Sequence, residues 1–422
     1  MKNEIGFGTA EILLPDFTKV DGTRWAVVAC DQYTSEPQYW EAVKSTVGDA
    51  PSTLGMILPE VYLSETEMRI GAINREMECR LADTLKGYPD AMICLSRTQS
   101  DGTVRRGIIG AVDLECYDYR KGATSLIRAT EGTVLERIPP RVAIRRDASL
   151  ELPHVMLLID DPVRTVIEPT VAACETREPL YDFDLMQGGG HVCAHLMTKK
   201  EQDAVLESLA SLATPSAMKE RYGDGALSPL LFAVGDGNHS LATAKAVYEQ
   251  VKEAIGEEAA KAHPARYALT EIVNLHDDAL QFEPIYRVVF GCDPEALLEE
   301  LKVYTASLSG NAAPQVLHCI TKNDEFDLTV PHPALQLTVG TLQAFLTDYT
   351  HRHPEVTVDY IHGEDSLRSL VNASDAVGFL FDGMGKSDLF RTVLFDGALP
   401  RKTFSMGHAA DKRYYIECRK IK

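Results

Sequence analysis

The chain has 422 residues, enough for about two or three domains, and its 45% hydrophobic and 25% charged content is that of a globular protein with a core to bury. Lys+Arg number 42 against 62 Asp+Glu, so the formal net charge is −20, which repels polyanions and excludes nucleic acid as a partner. No window approaches the roughly 20 apolar residues of a membrane span, and the first residues lack a basic region followed by an apolar stretch. The chain therefore reads as cytoplasmic, with a small-molecule substrate and no membrane partner. Its nine cysteines are scattered without a C-x-x-C pair, which argues for inert thiols rather than a disulfide framework.

In chain order, Ser64 and Glu67 form a capping-box pattern before an apolar series at Ile70, Ile73, Met77, Leu81 and Leu85, which predicts a helix. Two β-branched runs follow, AMICLSRT and GIIGAVDLECY, divided by the turn-forming Ser100-Asp101-Gly102. HVMLLID predicts a strand that ends at Asp160-Asp161-Pro162, and Thr198 with Glu201 opens a second capped helix. LLFAV is a buried strand running into Gly235-Asp236-Gly237-Asn238-His239-Ser240, after which LATAKAVYEQVKEAI is helical up to Gly256. YALTEIVNL and PIYRVVF are two more strands, and Asp293-Pro294 is a cap followed by a first-turn proline. Beyond it, strands (QVLHCI, VTVDYIH, AVGFLFD) alternate with helices (TLQAFLTDY, KSDLFRTVL). The expectation is a mixed α/β protein with one domain over 1–292 and a smaller α/β domain over 293–422.

The segment Gly235–Ser240 is the most informative. A strand, a glycine-bearing loop and a helix in that order aim backbone N–H groups and a helix dipole at one point, a ready anion site. Glycines let the backbone approach a phosphate closely. Asp236 is suited to hold a metal ion or accept a proton, and His239 and Ser240 to donate to phosphate oxygens. The competing reading is a plain turn with Asp236 or Asn238 as a helix cap. The spacing fits neither the Walker pattern nor G-x-G-x-x-G.

GDGNHSLATA resembles the D-G-H-H-R motif of the bacterial domain-of-unknown-function family 1015, and four further stretches resemble that family in the same order. They are Cys30–Pro37 followed by Tyr39-Trp40; Gly107–Val112 with Arg128-Ala129-Thr130-Glu131; Glu283–Arg287; and Leu399-Pro400-Arg401-Lys402-Thr403. The resemblance implies a ParB/sulfiredoxin-like nucleotide-binding core, distantly similar to enzymes that phosphorylate free serine. It carries Asp236, Gly237 and His239 onto the motif. Asn238 stands where a histidine is usual, and Ser240 where an arginine is usual. That arginine would be a bidentate phosphate clamp, so Arg287, Arg128, Arg401 or Lys402 is expected to replace it.

Asp31, Thr34, Ser35 and Glu36 follow the apolar run WAVVAC, the kind of strand end where α/β proteins build sites. Glu36 is a candidate base for a substrate hydroxyl, and Asp31, Thr34 and Ser35 are candidate substrate contacts. The plainer reading is a helix start with Ser35 as its cap. His191, Cys193 and His195 share one face of a strand and would suit zinc, but no fourth ligand is evident.

These readings give a nucleotide-binding phosphotransferase that uses ATP or ADP with Mg²⁺ on a small hydroxyl compound, free serine being one example. Gly235, Gly237, Asn238 and Ser240 would hold phosphate, with Asp236 on the metal and Glu36, Asp236 and His239 catalytic. Glu36, Asp236 and Arg287 are expected to converge. The alternative is a nucleotide-dependent regulatory or protein-binding module without turnover.

Overall fold

The computed structural model describes residues 5–132, 138–225 and 227–422. The chain is mixed α/β and separates into two compact units. Unit 1 comprises residues 1–129, 133–280 and 407–422; unit 2 comprises 130–132 and 281–406. The division therefore falls just before the strand Phe282–Phe290 rather than at 292/293, and the last sixteen residues return to unit 1. Asp293 still caps a helix, Pro294–Ser307, accepting the N–H groups of Glu295 and Ala296. A cap marks a helix start and carries no information about which strands share a sheet.

Unit 1 is built on one mixed sheet. From edge to edge its strands are Tyr181–Asp184, His191–Leu196, Ile93–Thr98, Val104–Asp113, Tyr267–Asn274, Met156–Ile159, Phe232–Asp236, Ile127–Ala129 and Tyr117–Asp118, with Phe7–Gly8 beside Val104–Asp113. Met156–Ile159 lies parallel to Tyr267–Asn274 and antiparallel to Phe232–Asp236. These central strands are nearly continuous apolar runs because both faces are covered. One face packs Leu157, Ile159, Phe232, Val234 and Ile272 against Leu241 and Tyr248 of the helix Asn238–Ile255.

Most local signals form as expected. Thr198 and Glu201 make a reciprocal capping box on Lys199–Leu212, and Gly102 turns the chain between Ile93–Thr98 and Val104–Asp113 at φ +85°. The Ser64–Glu67 box does not form. The helix there spans Thr66–Asp83 and is entered from a 3₁₀ turn, Glu60–Glu65, without a capping side chain.

Unit 2 carries an antiparallel sheet in the order Glu325–Val330, Gln315–Ile320, Val377–Leu380, Phe282–Phe290, Thr357–His362, with Phe404–Met406 also paired to Phe282–Phe290. Among the described residues, no helix of either unit is long and apolar enough to cross a membrane.

Candidate functional site

The strand Phe232–Asp236 passes through Gly237 directly into the helix Asn238–Ile255. Gly237 has φ +80°, and a Cβ built there would lie 3.0 Å from Val155 Cα, so both the backbone angle and the space demand glycine. As the N-cap of an 18-residue helix it brings no capping side chain of its own. Beside this turn, Asp236 Oδ1 accepts the Gly237 N–H at 2.8 Å, and Oδ2 lies 3.1 Å from Lys412 Nζ.

Burial pushes the Asp236 carboxyl up, but Lys412, His154 and the Gly237 N–H outweigh it and hold the group below its ordinary value. A carboxylate with a depressed folded-state pKa adds stability that is present above the unfolded value and lost as pH falls through the folded one. The difference in melting temperature between the wild type and Asp236→Asn is therefore expected to be constant at neutral pH. It should shrink once the pH drops below the ordinary carboxylate value of 3.8, which thermal melts across an acid series will show.

Met156 pairs with Asp236 across the antiparallel ladder, so His154, two residues earlier, arrives beside the same turn. Its Nε2 is 2.6 Å from Ser240 Oγ and 3.8 Å from an Asp31 oxygen, and its Nδ1 is 3.0 Å from the Tyr415 hydroxyl. The Tyr415 hydroxyl accepts the Cys30 N–H at 3.1 Å. Burial pushes the Tyr415 phenol well above its ordinary value. Through its two ring nitrogens His154 thus ties the Tyr415 hydroxyl to the Ser240 hydroxyl, with the Asp31 carboxylate beside Nε2.

Lys412 and Tyr415 come from the last sixteen residues, more than 170 positions from Asp236 in sequence. Tyr414–Tyr415 pairs with Val27–Val28, and the Ala29 N–H donates to Arg413 O at 3.0 Å. Arg97 and Arg105 face each other across adjacent strands. Arg97 donates to the carbonyls of Lys412 and, at 2.8 Å, Ala410, while Arg105 donates to Asp411 O at 3.2 Å. The Asp411 carboxylate accepts the Ser100 N–H at 2.7 Å and its hydroxyl at 2.9 Å. Burial, with Arg105 alongside, draws the Arg97 guanidinium down to about 9. Two buried cations thus fix three consecutive carbonyls, and with them the base of the Lys412 side chain.

Behind His154 and Ser240 lies a cavity of about 150 Å³. Cys30, His154, Ser240 and Tyr415 form its polar end. Apolar residues form most of the rest, among them Met77 of the helix Thr66–Asp83, Ile144 of the helix Ile138–Arg146 and Leu269 of the strand Tyr267–Asn274.

Of the residues expected at a site, the structure brings Asp31, Gly235, Asp236, Gly237 and Ser240 together. Asn238 begins the helix, and His239 is half-buried in its first turn with its carbonyl accepting the Thr243 hydroxyl at 2.7 Å. Thr34, Ser35 and Glu36 are exposed; Glu36, not Ser35, is the N-cap of the helix Pro37–Val47. Arg128 serves the carbonyls of Ser125, Ser228 and Pro229.

Arg287 requires a correction as a phosphate ligand. It is fully buried within unit 2, with Nε donating to Gln343 at 3.0 Å, its terminal nitrogens to Ile285 O and Arg401 O, and its guanidinium 4.6 Å from the Tyr360 ring centre. Its donors serve the unit's own core. On the same unit Arg401 and Lys402 are exposed, and the Lys402 ammonium lies 4.7 Å from the Tyr360 ring centre. Both ring nitrogens of His191 are held by carboxylates, Asp182 at 2.6 Å and Asp184 at 2.7 Å, which leaves neither for zinc. Among the described residues no group of three or more His, Cys, Asp or Glu side chains could hold a metal ion.

The residues that sequence reasoning missed are His154, Lys412 and Tyr415. His154 had a faint signal, a histidine just ahead of a predicted strand; Lys412 and Tyr415 had none.

A family model described as protein of unknown function (DUF1015) matches residues 16–358. The chain belongs to this family. No curated protein matches it. Among solved structures it is similar to free serine kinase in complex with AMP, at 10% identity, over 74% of this chain and 91% of that one, with a TM-score of 0.36. A mutant of that kinase in complex with ADP gives the same identity and coverage with a TM-score of 0.37. C-terminally truncated SbnI from Staphylococcus aureus matches at 8% identity over 71% of this chain and 82% of its own, with a TM-score of 0.34.

Proposed function

We propose that this protein is a nucleotide-dependent phosphotransferase acting on a small hydroxyl compound, in the manner expected of a ParB/sulfiredoxin-like nucleotide binder. One observation carries the reading: Lys412, the Ser240 hydroxyl and an 18-residue helix N-terminus meet at a glycine turn that also bears Asp236. Ammonium, hydroxyl and helix dipole all favour a phosphate, and Lys412 supplies the positive charge that Ser240 lacks relative to the family's usual arginine. Even paired with Lys412, a carboxylate at an anion site repels the ligand, so Asp236 makes sense as half of a metal site that the phosphates complete. Mg²⁺ is commonly held by one or two carboxylates plus substrate phosphates, and Asp236 fits that donor set. The bound ion would supply charge neutralisation at the transferring phosphoryl group. Glu36, open to solvent, is the proposed base for the acceptor hydroxyl.

The test is a thermal-shift panel of ADP and ATP, with and without Mg²⁺, on the full chain. Binding to the native state raises the melting temperature by mass action. Lys412→Met is expected to weaken ADP about 10- to 100-fold, the equivalent of about 1.5–3 kcal/mol for a lost charge-assisted contact. An unchanged affinity would remove Lys412 from the site. Absence of any nucleotide shift in the wild type would remove the function.

A further inference from the structure

The cavity behind Ser240 has a composition that the phosphate site does not call for. Its walls include Met56, Leu58, Met77, Ile144, Leu150 and Leu269. The charged residues that also line it are already paired with one another: Glu60 with Arg141, and Arg145 with Glu151, which Arg419 holds from the other side at 2.7 Å. A zwitterionic or highly charged occupant would have to break those pairs in a low-dielectric interior, where stranding one partner is strongly unfavourable. An apolar cavity of this size is large enough for a benzene-sized body. Besides those pairs, Cys30, Tyr415, His154 and Ser240, joined to one another by hydrogen bonds, give the chamber a cluster of polar atoms. Mostly apolar walls with a few placed polar groups are the usual make-up of a small-molecule site. Asp236 and Lys412 do not line the chamber, so the phosphate-handling pair lies outside it.

We infer that the chamber seats the apolar body of the acceptor, an uncharged alcohol with an aryl or branched-aliphatic group of about six carbons, its hydroxyl directed to the Ser240 end. Calling this occupant the acceptor rests on the phosphotransfer reading; its binding does not. In the transfer, the alcohol oxygen bonds to the terminal phosphorus as the bridging P–O bond of the nucleotide breaks. The shortened nucleotide leaves with that electron pair, and the alcohol proton passes to solvent.

Calorimetry on the full chain with benzyl alcohol and 3-methylbutan-1-ol, against serine and glycerol, tests the inference. Both apolar alcohols are expected to bind at least 10-fold more tightly than glycerol or serine. Ala148→Leu, which fills the wall at a buried position, and Leu63→Phe, a second lining residue, should each weaken benzyl alcohol at least 10-fold. Their ADP affinity should not change. Serine binding where the alcohols do not, or alcohol affinity unchanged in both filled variants, overturns the inference. So does competition between benzyl alcohol and ADP, which would make the chamber a nucleobase pocket. Alcohol binding lost on filling, in a protein that ignores nucleotides, upholds the chamber while removing phosphotransfer.

Discussion

Arg287→Ala is expected to lower the stability of unit 2 by about 4 kcal/mol, from the combined loss of charge-assisted hydrogen bonds and the cavity left by a large buried side chain. The guanidinium is fully buried and reaches Gln343, Ile285 O and Arg401 O from the strand Phe282–Phe290, which pairs with three others in that sheet. Burial pulls its pKa down to about 10, so the site favours the charge less than water does, and hydrogen bonding has to offset that. Arg287→Met keeps most of the volume and is expected to recover about half of the loss, because the apolar contacts persist while the acceptors stay stranded. Both tryptophans, Trp25 and Trp40, lie in unit 1, so urea unfolding followed by far-UV circular dichroism and by fluorescence distinguishes the units. The loss should show in dichroism and leave the fluorescence transition in place. A phosphate-binding Arg287 would give the opposite result for Arg287→Met: near-normal stability and an ADP affinity at least 10-fold weaker.

The contrast between Arg287 and Asp236 shows what a sequence can reveal about a site. Asp236 and Ser240 were legible because their role is local: glycines bracket a strand-to-helix turn, and only such a turn needs glycine at φ +80°. The Thr198–Glu201 box and the Asp293 cap were legible for the same reason, since every partner lies within three residues. The Ser64–Glu67 pattern misled because a 3₁₀ turn, in which Thr66 bonds back to Leu63 O, already delivers the chain into the helix. Arg287 read as a free cation because its acceptors are backbone carbonyls and an amide up to 114 positions away, which no local pattern announces. His154 and Lys412 were hidden by long-range pairing too. One depends on the Met156–Asp236 register and the other on Arg97 and Arg105 grasping the returning tail.

Asp236→Asn is expected to separate binding from turnover. The substitution keeps the shape of the turn, and an amide oxygen can still accept the Gly237 N–H, so the fold should lose no more than about 1 kcal/mol for a partly exposed ion pair. Without Mg²⁺, ADP should bind at least as tightly as before, because the carboxylate that repels its phosphates is gone and Lys412 no longer shares its charge with Asp236. Phosphoryl transfer should nevertheless fall by about 10²- to 10³-fold, the usual effect of removing one group that stabilises charge developing in the transition state. The Mg²⁺ dependence of ADP binding should weaken along with it. Lys412→Met predicts the mirror image, poorer ADP binding. The two variants together therefore locate metal-side and phosphate-side roles on opposite members of one ion pair. If Asp236→Asn unfolds the protein, Asp236 is a structural cap. If it weakens ADP as much as Lys412→Met does even without Mg²⁺, the pair acts only as a unit that shapes the turn, and the metal-side assignment of Asp236 is wrong.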